Sequence, residues 1–199
     1  MAEKLTVNFF THNDVLKISK SLLGKNIFTK INNNITSGMI VETEAYAGIN
    51  DKASHAYNNK RTTRTKVMYK KGGICYVYLC YGMHYLMNIV TAQKETPHAI
   101  LIRAIEPKNG IDIMLKRRNF KTLTFNLTNG PGKLSQALAI NKTLNGKSLD
   151  SKSIWIEGSK ISIDEKDILS SPRIGVDYAK EDATLPYRFY IKNKWVSKL

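Results

Sequence analysis

Ile74-Cys-Tyr-Val-Tyr-Leu-Cys-Tyr-Gly-Met-His-Tyr-Leu-Met-Asn88 is the stretch that decides the fold. Ile74 to Tyr81 is a β-branched and aromatic run, Gly82 interrupts it, and Tyr85 to Val90 resumes it. Two such runs about a glycine are the pattern of an antiparallel hairpin. Working outward, Asn26–Ile31 and Ile35–Tyr46 read as strands upstream, and Ala99–Ile105, ended by Pro107, as one downstream. Short strands are expected around Ile154–Glu157 and Arg188–Ile191. A first helix is expected from Asn13 or Asp14 to Gly24, with Val15, Leu16, Ile18, Leu22 and Leu23 inward. Ile111–Arg118 and Lys133–Ile140 complete the helical set, the latter introduced by N-G-P-G. Consecutive strands with few helices between them favour an antiparallel α+β fold over a doubly wound sheet. The expectation is a single compact domain over residues 1–199: an antiparallel β-sheet, a protruding β-hairpin and surrounding helices.

Hydrophobic content of 42% and aromatic content of 9% suit a chain with a packed core. No apolar run approaches the roughly 20 residues of a membrane helix, and the N-terminal M-A-E-K-L-T-V-N has no apolar signal region. Cys75 and Cys80 fall on opposite faces of one strand, about 16 Å apart at strand rise, so both are expected reduced. Cytoplasmic residence, nucleoid-associated in a bacterium, follows as the expectation. Charge is the strong global signal. Lys plus Arg number 31 against 16 Asp plus Glu, a net +15 that favours a polyanionic partner. The excess is clustered: Lys60, Arg61, Arg64, Lys66, Lys70 and Lys71 form one group and Lys116, Arg117, Arg118 and Lys121 another. Nucleic acid is the expected partner, bound through a long basic loop over residues 47–71.

Within Ile40–Tyr46, strand alternation puts Glu42, Glu44 and Tyr46 on one face and Val41, Thr43 and Ala45 on the other, which meets the core. Two carboxylates and a tyrosine on one strand face suit proton abstraction from water in a partly dry cleft, although ion-paired glutamates also fit. Spacing alone does not choose between Glu42 and Glu44. His55 lacks the companions of a metal site: no H-E-x-x-H pattern is present, and Tyr57 stands where a zinc deaminase needs an acid. No metal and no cofactor are expected. On the hairpin, Tyr76 reads as an edge tyrosine in ordinary strand packing, whereas Tyr81, beside Gly82, sits at the tip and suits entry into a base stack. N-G-P-G-K-L-S is not a phosphate-binding Walker loop, since Leu127 and Leu134 occupy its required positions, yet Gly132 and Lys133 suit contact with one phosphate.

Taken together, V-E-T-E-A-Y, His55, Y-V-Y-x-x-Y-G-M-x-Y-x-x-N, L-I-R-A-I-E-P and G-P-G-K-L-x-x-A-L-A-I resemble the alkyladenine (3-methyladenine) DNA glycosylase family, in order from about Val15 to the R-F-Y-I-K-N-K-W-V-S tail. The resemblance implies a monofunctional hydrolase that leaves an abasic site after removing alkylated or deaminated purines, such as 3-methyladenine and hypoxanthine, from double-stranded DNA. It assigns the general base to Glu44, with Arg103 beside it. Tyr46, His55 and Tyr78 become contacts to a flipped base, Asn88 the residue that discriminates against guanine, and Tyr81 the intercalating finger. Arg61, Arg64, Gly132 and Lys133 are expected on the DNA backbone, and the protein is expected to be a monomer. The sequence departs from the family at Thr62-Thr63-Arg64-Thr65, where T-P-R-N is common, and at Gly72, where proline is common. The rival from another class is a non-catalytic nucleic-acid-binding domain using the same basic loop and tyrosines.

Overall fold

The computed structural model describes residues 3–159 and 161–197. Among these residues eight strands form a curled antiparallel sheet. The main path runs β3 (Ile74–Cys80), β4 (His84–Thr91), β5 (His98–Asn109), β2 (Asn34–Tyr46), β1 (Asn26–Ile31) and β6 (Ile154–Glu157). β2 is long enough to take two partners on the same side. Asn34 to Met39 pair with β1, and Glu42 to Glu44 pair with β8 (Arg188–Ile191), which itself pairs with β7 (Ile168–Ser171). β5 runs along the other side of β2. Central placement is why both faces of β2 are buried from Thr36 to Ala45, including the face that carries the two glutamates.

Among the described residues four short α-helices flank the sheet: α1 (Val7–Phe10), α2 (Val15–Ser21), α3 (Ile111–Arg118) and α4 (Pro131–Ala137). The Asp14 carboxylate caps α2 by accepting from the Lys17 N–H, and Leu22 closes the helix ahead of the left-handed Gly24. The main core joins Ile18, Leu22, Ile40, Ile89, Ile102, Leu134 and Phe189, so helices and strands bury one shared apolar mass. Among the described residues no helix is long and apolar enough to cross a membrane.

Four local expectations change. β5 does not end before Pro107 but passes through it to Asn109; Pro107 stands opposite Gly38, where the register with β2 shifts, so the missing N–H interrupts no regular ladder. Tyr76 is not an edge residue: it is 2% exposed, because residues 47–71 fold over it. That basic stretch contains three single-turn 3-10 helices and buries Ala56, Val67, Met68 and Tyr69 against Tyr76, Val90 and Ala99. It is a packed cover, with its charges on the outer surface. In the second basic cluster Arg117 donates to Thr36 and the Ala137 carbonyl, and Arg118 to Gln136 and the Asn126 carbonyl, so both tie α3 to its neighbours.

Candidate active site

A cleft of about 1020 Å³ opens between the β3–β4 hairpin, the 52–65 segment, the start of α4 and residues 174–178. Its floor is built by β2 and β5. Arg103, on β5, reaches both β2 carboxylates, with Nε 3.2 Å from Glu42 Oε1 and Nη1 3.2 Å from Glu44 Oε1. The two glutamates then part company. Glu42 also accepts from Arg188 Nε at 2.6 Å and from the Ser197 N–H at 2.7 Å, which ties the C-terminal tail to the sheet. Glu44 accepts from the Tyr46 hydroxyl at 2.8 Å and from the Ile174 N–H at 2.8 Å. Both carboxylates are fully buried, and two guanidiniums balance them, as burial of charge demands.

Glu44 accepts one hydrogen bond on each oxygen, from the Ile174 N–H on Oε1 and the Tyr46 hydroxyl on Oε2, and the Arg103 guanidinium stands in ion-pair contact with Oε1. Oε2, with its single bond, keeps an acceptor position. All three of these partners line the cleft, whereas Arg188 and Ser197, which hold Glu42, do not. Burial and the Glu44 carboxylate raise the Tyr46 phenol well above its ordinary pKa, so Tyr46 stays protonated and donates.

The segment carrying Ile174 is held by Arg173, whose guanidinium makes a buried bidentate pair with Asp51 (2.5 and 2.9 Å) and donates to the Ala45 and Asp182 carbonyls. Burial works against the Arg173 charge, but the Asp51 carboxylate outweighs it and the pKa ends above the usual arginine value. Arg173 also lies 4.8 Å from the centre of the Tyr46 ring. One buried ion pair therefore fixes both Tyr46 and the Ile174 amide around Glu44.

The aromatic wall comes from β3 and the packed cover. His55 stands edge-on to Tyr78, ring centres 4.7 Å apart, and Tyr76 lies 5.4 Å from Tyr78. His55 Nε2 is 3.2 Å from the Arg64 guanidinium, which only donates, so Nε2 is the acceptor and Nδ1–H donates to the Tyr76 hydroxyl at 2.8 Å. Burial first, then Arg64 and Lys60, hold the His55 pKa down at about 4. His55 is neutral at physiological pH. Burial likewise raises the Tyr78 phenol, which stays neutral.

At the mouth, β3 and β4 are joined by Tyr81, Gly82 and Met83, with the Met83 N–H bonded to the Cys80 carbonyl at 3.1 Å. Tyr81 takes φ 50° and Gly82 φ 70°, the positive signs of a tight hairpin turn. Tyr81 is 89% exposed and Met83 71%, an apolar tip with nothing of its own to pack against. Gly132, in α4, permits close approach of the hairpin: a Cβ there would lie 2.9 Å from His84 Cγ. Lys133 also lines the cleft and is held by Asn129 and Asn126 at 2.8 and 3.1 Å.

Of the residues singled out from sequence, Tyr46, His55, Arg64, Tyr78, Tyr81, Arg103, Gly132 and Lys133 line this one cleft. Glu44 sits just beneath its floor. Asn88 is buried, its amide donating to the Tyr76 carbonyl at 3.3 Å, and does not line the cleft. Arg61 lies outside it, paired with Glu95 at 2.6 Å and stacked 3.8 Å from the Tyr69 ring. Sequence reasoning missed Asp51, Arg173, Arg188 and Tyr178. Tyr178 is 64% exposed on the cleft wall, its hydroxyl fixed to the Ala53 carbonyl at 3.1 Å. The P-R-I-G-V segment at Pro172–Val176 was the one local sign that this region turns sharply, at Gly175 with φ 75°.

The profile of the methylpurine-DNA glycosylase family matches residues 8–195. Full-length relatives carry the name "Putative 3-methyladenine DNA glycosylase". That of Chlamydia felis is 49% identical over 196 residues, covering 98% of this chain and 100% of its own. The Chlamydia abortus relative is 50% identical over 192 residues (95% and 100%), and that of Clostridium novyi 46% over 204 (98% and 99%). A match spanning both glutamates, the hairpin, α4 and the tail leaves no part of the cleft outside it. The chain belongs to the methylpurine-DNA glycosylase family and is a DNA glycosylase, a hydrolase of DNA repair.

Proposed function

We propose that this protein flips alkylated or deaminated purines, 3-methyladenine and hypoxanthine among them, out of duplex DNA and hydrolyses the N-glycosidic bond with a water activated by Glu44. The observation that carries this reading is the acceptor position that Glu44 Oε2 keeps, with the two donors and the ion-pair partner of Glu44 all on the cleft. A water there gives its proton to Glu44 while its oxygen bonds the sugar C1′. The C1′–N bond breaks and its electron pair leaves with the purine. The Glu44 carboxylate lowers the cost of positive charge on the sugar, and Arg103, paired with both glutamates, keeps them from repelling each other apart.

An alkylated purine is cationic, so it leaves as a neutral base. The faces of Tyr46 and Tyr78 favour that cation by about 0.5–2 kcal/mol per contact. Hypoxanthine needs a proton from elsewhere, and His55, neutral with its pKa near 4, is not its source. Tyr81 enters the stack in place of the extruded base, and leaving its place on the surface costs little because it is exposed there already. Arg61, Arg64, Gly132 and Lys133 serve the DNA backbone, Asn88 is the residue that discriminates against guanine, and the protein works as a monomer in the cytoplasm.

The test is a duplex with one hypoxanthine or 3-methyladenine, incubated with enzyme and then cleaved by alkali at abasic sites. Wild type is expected to yield strand breaks, and Glu44→Gln to bind the lesion without breaking it. A Glu44→Gln enzyme that excises at the wild-type rate sinks the assignment of the base.

A further inference from the structure

The pocket that should receive a base already holds a planar cation. Arg64 is an exposed residue at the start of the Thr65–Val67 turn, yet its guanidinium points back into the cleft. Its carbon lies 4.5 Å from the centre of the Tyr78 ring, and one nitrogen is 3.2 Å from His55 Nε2. Those are the π face and the acceptor that a flipped purine would use. No carboxylate holds Arg64 there among the described residues, in contrast to Arg61, which Glu95 and Tyr69 hold from two sides. An exposed cation–π contact, one hydrogen bond to a neutral ring and an interaction with the neutral Tyr76 hydroxyl are weak tethers beside an ion pair. Lys60 and Lys133 line the same cleft, so a phosphate at its mouth would meet an already positive rim.

We propose that Arg64 is an internal placeholder for the base, closing the pocket against Tyr78 and His55 in free protein and moving out to a DNA phosphate when a nucleotide enters. This rests on the reading that the cleft takes the flipped purine. Every entering base must first displace the guanidinium, so the pocket's apparent affinity is reduced by the fraction of molecules in which it is closed. Pairing of the displaced guanidinium with a phosphate offsets that cost only when the base arrives on a DNA strand. A free base, with no phosphate, bears the full cost. Arg64 thereby ties pocket opening to the presence of DNA.

Arg64→Ala separates the parts, and exposure of the residue leaves the fold unthreatened. In free protein the His55 imidazole, followed by NMR, is expected to titrate above the wild-type midpoint of about 4, because the nearest cation is gone. An unmoved midpoint means that Arg64 does not sit at His55, whatever the enzyme does, and overturns the closed state. Free 3-methyladenine is expected to bind Arg64→Ala about 2- to 5-fold more tightly than wild type, the size of an exposed cation–π contact. Binding of a duplex with a hydrolysis-resistant 2′-fluoro hypoxanthine nucleotide is expected to show a salt slope smaller by about one phosphate charge. Weaker or equal binding of the free base makes Arg64 an ordinary contact and overturns the placeholder, as does an unchanged salt slope for the exit to phosphate. If neither base nor lesion duplex binds wild type, the purine-flipping reading itself fails and this one with it.

Discussion

Replacing Glu42 with glutamine is expected to cost about 3–5 kcal/mol of stability, the usual range for breaking one side of a buried ion pair. The figure follows from what surrounds the side chain. Glu42 Oε1 accepts from both Arg103 Nε and Arg188 Nε, and Oε2 from the Ser197 N–H. A glutamine amide keeps one oxygen and turns the other into a donor. Placed toward the arginines, the NH2 faces two N–H groups; placed toward Ser197, it faces a third. At least one buried donor loses its acceptor in either orientation, at about 1–3 kcal/mol, and two buried guanidiniums lose a countercharge. In a domain of this size, ~2–4 °C of melting temperature accompanies each kcal/mol, so a drop of roughly 6–20 °C is expected by calorimetry. Activity should separate the two glutamates. At a temperature where both variants are folded, Glu42→Gln should retain measurable excision because Arg103 still holds Glu44, whereas Glu44→Gln should lose it. A Glu42→Gln protein that melts with wild type, or that is as inactive as Glu44→Gln while fully folded, refutes the division of labour between the two carboxylates.

The neutral His55 makes a pH prediction. Its folded pKa of about 4 lies below the ordinary 6.5, so between those values the unfolded chain binds a proton that the folded one does not. Stability should therefore fall as pH drops from 6.5 to 4, by up to roughly 3 kcal/mol, and His55→Gln should flatten that part of a melting-temperature profile. Tyr81→Gly removes an 89%-exposed side chain from a backbone at φ 50°, so stability should hold or rise by about 0.5–1 kcal/mol while lesion-duplex affinity falls in a fluorescence titration. Gly132→Ala puts a Cβ 2.9 Å from His84 Cγ and should displace the hairpin tip, weakening lesion binding; His84→Ala in the same chain should restore part of the loss, and an additive double mutant would show the two residues uncoupled.

Alternation is enough to read β1, β3, β4, β6 and β8, and to place Glu42, Glu44 and Tyr46 on one face, because side-chain direction in a strand is a local property. What a residue faces is not local. Tyr76 and Tyr78 are two positions apart on the same side of β3, but the 47–71 cover closes over the first and leaves the second on the cleft. Arg117 and Arg118 read in the sequence as part of a basic cluster for a polyanion and instead fasten α3, through acceptors up to 81 positions away in the chain.

The two glutamates make the same point in chemical terms. No spacing rule separates Glu42 from Glu44, and both end up buried beside Arg103. Their difference comes from partners more than 120 positions downstream: Arg188 and Ser197 close around Glu42, while Ile174 bonds Glu44 from the cleft side. Arg173 and Asp51, which hold Ile174 in place, lie 122 positions apart, and neither carries any local mark of that role. A carboxylate is equally basic at either position of an isolated strand. Here the tail decides which one keeps an acceptor site toward the cleft, so truncating or loosening residues 188–197 should disturb the floor of the site from behind, without touching a residue that lines it.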